Sequence, residues 1–175
     1  HGVVVVCRQA SGYSARVRRM FVEGCAPRGQ LALERPARVG RAGGRQLHDS
    51  EADSYLTALD ARTGAELWRT ARPNTGLPRS SWTTPFIWKN ETRTEIVTLG
   101  HAMVLSYGLD GKELWRVTGM SMPTASPLAA NGWLYVGSGS QGDANRPFLA
   151  IKPGAAGDIT LADGNESNDF IAWRQ

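Results

Sequence analysis

From residue 51 onward, apolar and polar positions alternate along the chain in short runs separated by turn residues. Tyr55-Leu56-Thr57-Ala58-Leu59-Asp60 alternates, breaks at Ala61-Arg62-Thr63-Gly64, and resumes as Glu66-Leu67-Trp68-Arg69. Period-two patterning on both sides of a Gly-bearing turn predicts a β-hairpin, because successive strand residues face opposite sides of a sheet. A second copy runs Met103-Val104-Leu105-Ser106-Tyr107, turns through Gly108-Leu109-Asp110-Gly111, and closes with Glu113-Leu114-Trp115-Arg116. A third, degenerate copy opens at Phe148-Leu149-Ala150-Ile151-Lys152 and closes at Phe170-Ile171-Ala172-Trp173-Arg174, with an insertion over 153–169 in place of the tight turn.

Two more strands are predicted ahead of each later hairpin: 82–88 and 95–99 before the second, 124–129 and 133–138 before the third. The unit is therefore four strands. Trp68 and Trp115 are 47 residues apart and Trp115 and Trp173 are 58 apart. Four short antiparallel strands recurring at such a spacing are the pattern of propeller blades. Ser81-Trp82-Thr83-Thr84-Pro85 and Pro123-Thr124-Ala125-Ser126-Pro127 open their units alike, each with a Pro at the strand margin, where the missing N–H is tolerated.

The run Ala-Leu-Asp-x-x-Thr-Gly-x-x-x-Trp at Ala58 to Trp68 resembles the repeat of the pyrroloquinoline-quinone-like β-propeller family, and the resemblance extends over residues 55–175. It implies an all-β fold of four-stranded antiparallel blades, about two and a half of them in an incomplete ring. The half blade falls at 51–73, a blade at 80–119 and a blade with the insertion at 120–175. The repeat positions are Asp60, Thr63, Gly64 and Trp68 in the first copy, Asp110, Gly111 and Trp115 in the second, and Trp173 in the third. The resemblance further implies that these tryptophans dock between blades. The second copy departs from the pattern by placing Gly108 where Asp is expected, and the third loses the Thr-Gly turn. Closed rings of this group are implied to hold seven or eight blades, so a piece of a larger propeller is expected.

Composition changes this picture little: of 175 residues, 41% are hydrophobic and 21% charged, as in ordinary globular proteins. No run approaches the roughly 18 apolar residues of a membrane-spanning helix, so no membrane span is expected. The net charge of +4 conceals an asymmetry. Residues 1–50 carry nine Arg, no Lys and three acids, whereas 51–175 carry eleven bases and thirteen acids. The basic segment reads as an Arg-rich irregular stretch with one short strand near Val3 to Cys7. A solvated insertion, a nucleic-acid arm and a shifted reading of GC-rich coding sequence all account for it. Tyr13 and Phe21 are too few aromatics for a base-stacking platform, so no nucleic-acid partner is expected.

Cys7 and Cys25 are either unpaired or joined in one disulfide; neither belongs to a Cys-x-x-Cys motif. His1, His48 and His101 stand singly, which gives no metal cluster and no His-based relay. Gly137-Ser138-Gly139-Ser140-Gln141-Gly142 has the Gly-x-Gly-x-x-Gly spacing of a phosphate cradle. A strand rather than a helix is predicted after it, so an interstrand loop is expected. Asp163-Gly164-Asn165-Glu166-Ser167-Asn168-Asp169 offers alternating oxygen ligands but lacks the Gly and Glu that a helical calcium loop requires, and reads as a turn.

The expectation is a non-catalytic scaffold or binding module with no cofactor. It would belong to a larger exported, periplasmic bacterial protein similar to the barrel-assembly lipoprotein propellers, with its export signal outside these residues. Its partner is expected to be another protein or the remaining blades of the same propeller. The alternative is a fragment of a quinoprotein alcohol or sugar dehydrogenase, for which the resemblance would imply pyrroloquinoline quinone and calcium. No catalytic residue is assigned.

Overall fold

The computed structural model describes residues 2–9, 16–23, 55–60, 63–73, 83, 85–100, 102–122, 125–139 and 142–175, the first two stretches as backbone alone. All regular structure among them is β, in three sheets, and no helix occurs among the described residues. The strands are β1 (Gly2–Gln9), β2 (Arg16–Glu23), β3 (Tyr55–Asp60), β4 (Glu66–Ala71), β5 (Phe86–Lys89), β6 (Thr94–Gly100) and β7 (Met103–Tyr107). They continue with β8 (Glu113–Thr118), β9 (Leu128–Ala130), β10 (Trp133–Gly137), β11 (Phe148–Ile151), β12 (Gly157–Asp158) and β13 (Ile171–Arg174).

The predicted hairpins form in register. Tyr55↔Ala71 through Ala58↔Trp68 joins β3 to β4, Met103↔Thr118 through Ser106↔Trp115 joins β7 to β8, and Ala150↔Trp173 lies in the β11–β13 pair. Each pair carries a register shift one residue beyond its tryptophan: Ala58/Leu59, Ser106/Tyr107 and Ala150/Ile151. The second and third sheets are antiparallel meanders, β5-β6-β7-β8 and β9-β10-β11-β13. Proline stands just ahead of β5 and β9, at Pro85 and Pro127, where the ladder needs no donor.

The first sheet has the order β2-β1-β3-β4, so β1 lies between β2 and β3. Residues 1–50 thus contribute two paired eight-residue strands rather than one short strand, in register from Gly2↔Glu23 to Gln9↔Arg16. Arg16, Arg18 and Arg19 give the loop-like appearance of β2 in the sequence, yet charged residues are common on a sheet edge, where they discourage further pairing. The segment between β2 and β3, with Cys25 and His48, lies outside the described residues, as do His1, His101 and the side chain of Cys7; the disulfide falls there too.

The core runs between sheets. Leu56 of the first sheet packs with Ile96, Met103, Leu105 and Tyr107 of the second, with Trp68 and Ile87 at the margin. The opposite face of the second sheet, with Trp88, Val97, Leu99, Val104, Trp115 and Val117, packs with Leu134, Val136, Leu149, Ile151 and Ile171 of the third. The second sheet is thus apolar on both faces, and every residue of β7 is buried. This explains why Met103-Val104-Leu105-Ser106-Tyr107 is nearly continuous in apolar character rather than cleanly alternating.

The 153–169 insertion has a role beyond replacing a turn. Its strand β12 leaves the third sheet and pairs in parallel with β8 of the second, Gly157↔Trp115 and Asp158↔Arg116. Ile159 N donates to the Arg116 carbonyl at 2.9 Å and Thr118 N to Thr160 Oγ1 at 3.0 Å. Ala155 and Ile159 are buried in the core shared by the two sheets.

Candidate functional site

Of the residues singled out by the repeat, Asp60, Thr63, Gly64, Asp110 and Gly111 lie at two hairpin turns, which they build from within. Asp60 Oδ1 accepts from Thr63 N at 2.7 Å and Thr63 Oγ1 at 2.8 Å, while Gly64 N donates to the Asp60 carbonyl. This fixes a turn whose Gly64 has φ of 74°, a value that favours glycine. In the second copy the carboxylate has moved: a Cβ on Gly108 would lie 2.7 Å from Asp110 Oδ1. Asp110 therefore fills the space above Gly108 and accepts from Lys112 N at 3.1 Å, which holds its carboxyl below the usual range. The missing Asp at 108 is compensated two residues later within the same turn.

Trp68 reaches from the first sheet onto that second turn. Its Nε1 donates to the Leu109 carbonyl at 2.9 Å, and a Cβ on Gly111 would come within 2.6 Å of the indole ring. Thr70 Oγ1 donates to the Gly111 carbonyl at 2.7 Å. A side chain at 111 and the docked indole cannot coexist, so Gly111 is required twice over, by its φ of 81° and by Trp68.

The other two tryptophans behave differently. Trp115 is fully buried, with Gly157 of the insertion opposite it in register and its Nε1 2.6 Å from Glu95 Oε2. Trp173 is half-buried on the far face of the third sheet, 5.6 Å from Phe148 and 6.1 Å from Tyr135 between ring centroids. The repeat places all three on the same face of their sheets, opposite Ala58, Ser106 and Ala150, while their surroundings differ.

Sequence patterning did not single out the densest polar cluster among the described residues. Glu95 is 0% exposed, yet its carboxylate is fully engaged: Ser106 Oγ and Trp115 Nε1 donate to Oε2, and Asn90 Nδ2 and Arg93 Nε donate to Oε1. Arg93 Nη2 also donates to the Ala155 carbonyl, carrying the network into the insertion. Four donors converge on the two carboxylate oxygens, so the group pins three strands and the Asn90–Arg93 turn together. A signal was present in the sequence: Glu95 shares its strand face with Val97 and Leu99, and a charge on an apolar face requires partners.

The two loop motifs are structural within the described residues. A Cβ on Gly137 would lie 2.7 Å from Phe148, and one on Gly139 would lie 2.6 Å from Arg146. These glycines thus make room for the protein's own side chains, and the chain runs from the loop into β11. Gly139 N donates to the Met122 carbonyl and Asn145 Nδ2 to the Gly119 carbonyl, tying the loop to the link between the second and third sheets. In the other motif, Asn168 Oδ1 accepts from Phe170 N and Ile171 N, and its Nδ2 donates to the Ile159 carbonyl. Lys152 Nζ donates to the Asp169 carbonyl. No group of three potential metal-ligating side chains converges among the described residues.

The structure thus brings Trp68 together with Gly111, and Trp115 with the insertion, but leaves Trp173 apart with its aromatic neighbours. No protein-family model matches the chain, and no curated protein is significantly similar to it.

Proposed function

We propose that the three sheets are successive blades of a β-propeller, and that the chain is a non-catalytic scaffold or binding module of a larger exported bacterial protein. The observation that carries this reading is the docking of Trp68 on the Leu109–Gly111 turn, which joins one four-stranded unit to the next through the residues that define the repeat. Further support comes from how the polar groups are used. Glu95, Arg93, Asn168, Asp158 and Thr160 all bond within or between sheets, which stiffens a frame from which the 137–147 loop and the 153–169 insertion are presented. Loops on a rigid sheet framework are the usual place for partner recognition.

The test has two arms. Titrating the purified chain with pyrroloquinoline quinone and calcium, read by tryptophan fluorescence, should give no saturable change; saturable calcium-dependent quenching would overturn the non-catalytic reading in favour of a quinoprotein fragment. A photo-crosslinker at Arg146, exposed in the 137–147 loop, should capture an envelope protein from bacterial extracts, and a cytosolic target alone would contradict the exported assignment.

A further inference from the structure

The sequence contains two Asn-x-Ser/Thr triplets, Asn90-Glu91-Thr92 and Asn165-Glu166-Ser167, the pattern at which oligosaccharides are attached through the Asn side-chain nitrogen. The structure treats the two oppositely. Asn90 is committed to its own turn: its Oδ1 accepts from Thr92 N at 2.9 Å, Thr92 Oγ1 at 2.7 Å and Arg93 N at 2.9 Å, while its Nδ2 donates to Glu95 Oε1 at 3.0 Å. The carboxamide and the hydroxyl that a transferase must engage are already bonded to each other, and freeing them breaks into the buried Glu95 network.

Asn165 lies in the insertion between β12 and β13, where every residue from Ala162 to Asp169 is exposed. Among the described residues, the side chains of Asp163, Asn165, Glu166 and Ser167 make no hydrogen bond, and one backbone bond, Asn165 N to the Ala162 carbonyl at 3.0 Å, closes the turn. The base of the loop is secured by Asn168 Nδ2 on the Ile159 carbonyl at 2.9 Å and by Lys152 Nζ on the Asp169 carbonyl at 3.1 Å. Five residues held by a single turn bond open locally at small cost, so the carboxamide can be drawn into an enzyme while the sheets stay folded. The residue two places ahead sharpens the contrast. Asp163-Gly164-Asn165-Glu166-Ser167 has the Asp-x-Asn-x-Ser form that bacterial oligosaccharyltransferases read, the acid pairing with a cationic side chain of the enzyme. The residue two places ahead of Asn90 is the buried Trp88.

We propose that Asn165 is an acceptor site for N-linked glycosylation by a bacterial oligosaccharyltransferase acting on the folded chain, with Asp163 and Ser167 as the recognition residues. The donor is an oligosaccharide carried on a polyprenyl diphosphate. The Asn165 side-chain nitrogen attacks the anomeric carbon of the first sugar, a C–N bond forms as the C–O bond to the diphosphate breaks, the polyprenyl diphosphate leaves with the electron pair, and one amide proton passes to the transferase. The exposed turn supplies access, Ser167 the hydroxyl and Asp163 the charge. Such transfer occurs on exported chains, so its occurrence in the cell rests on the exported reading above, whereas the competence of the site does not.

The test is intact mass and peptide mapping of the purified, folded chain after incubation with a single-subunit bacterial oligosaccharyltransferase and an undecaprenyl-diphosphate-linked oligosaccharide. The expected result is the mass of one glycan added at Asn165 and none at Asn90. Transfer should be lost in Asn165→Gln and in Ser167→Ala and should slow at least about tenfold in Asp163→Ala. All three positions are exposed, and circular dichroism unchanged from the wild type confirms that each variant is folded. Transfer to a synthetic peptide of residues 160–170 but not to the folded chain overturns the proposal, because the turn then withholds the carboxamide. No transfer to either, a glycan at Asn90 instead, or a rate indifferent to Asp163→Ala overturns it as well. The assay involves no export, so its failure removes the site and leaves the exported reading to the crosslinking test above.

Discussion

Trp68 Nε1 and the Leu109 carbonyl oxygen, 41 residues apart in sequence, are joined by a 2.9 Å hydrogen bond that ties the edge strand of one sheet to the hairpin turn of the next. The bond fixes the angle at which the indole lies, and the indole in turn demands glycine at 111. Removing the bond while keeping the ring therefore separates two contributions. Trp68→Phe should cost about 1 kcal/mol, the usual net value of one hydrogen bond. Trp68→Ala should cost about 3 kcal/mol through lost packing as well. Urea denaturation midpoints at constant m-value measure both.

Two glycines with almost the same backbone conformation should respond unequally. Gly64→Ala should cost about 1 kcal/mol, the price of φ near 74° for a side chain. Gly111→Ala carries the same backbone cost and must also displace Trp68, so about 2 kcal/mol more is expected. Equal losses in thermal unfolding would show that Trp68 does not occupy the Gly111 seat in solution.

Much of the fold was legible because alternation and turn chemistry are local. The hairpins around Gly64 and Gly111, and the strands ahead of the second and third copies, follow from period-two patterning and Thr-Gly or Asp-Gly turns. Strand pairing across long separations was not legible. Nothing within Arg16–Glu23 indicates that it pairs with β1, and nothing in Ala155-Ala156-Gly157-Asp158 indicates a crossing to β8. The tryptophans show the same division. Their repeat positions are visible in sequence, but whether each meets a turn, a carboxylate or another aromatic depends on what the fold brings opposite.

Glu95 gives a third prediction. Glu95→Ala leaves Arg93, Ser106, Trp115 and Asn90 without their common acceptor, and breaking a buried pair of this kind costs about 3 to 5 kcal/mol. Glu95→Gln keeps the volume and one acceptor oxygen and should cost about half as much. Because Arg93 also holds the Ala155 carbonyl, hydrogen exchange at Ile159 should quicken in both variants. Unchanged protection there would mean that the network does not anchor the insertion.

Asp158 sets an acid limit on the β12 latch. Hydrogen bonds from Thr160, side chain first and then backbone, hold its carboxyl below the ordinary value of 3.8, with Arg116 adding a smaller electrostatic contribution. A carboxylate whose pKa is lower when folded contributes stability that is present above 3.8 and is lost as pH falls through the lower folded value. Amide protection factors at Ile159 and Thr160, corrected for the intrinsic pH dependence of exchange, should therefore fall as the solution is acidified below that range. Asp158→Asn should remove the acid-induced step while leaving the latch looser at neutral pH.

The seating of one sheet's tryptophan on the next sheet's glycine turn is the relationship on which the blade reading rests, and the α-proton shifts of Gly111 test it most directly. The hydrogen that a Cβ would replace at Gly111 points into the Trp68 ring, so it should resonate well upfield of ordinary glycine and return to the normal position in Trp68→Leu. A Gly111 signal at the ordinary position in the wild type, unmoved by Trp68→Leu, would contradict the docking and the stacked-sheet account built on it.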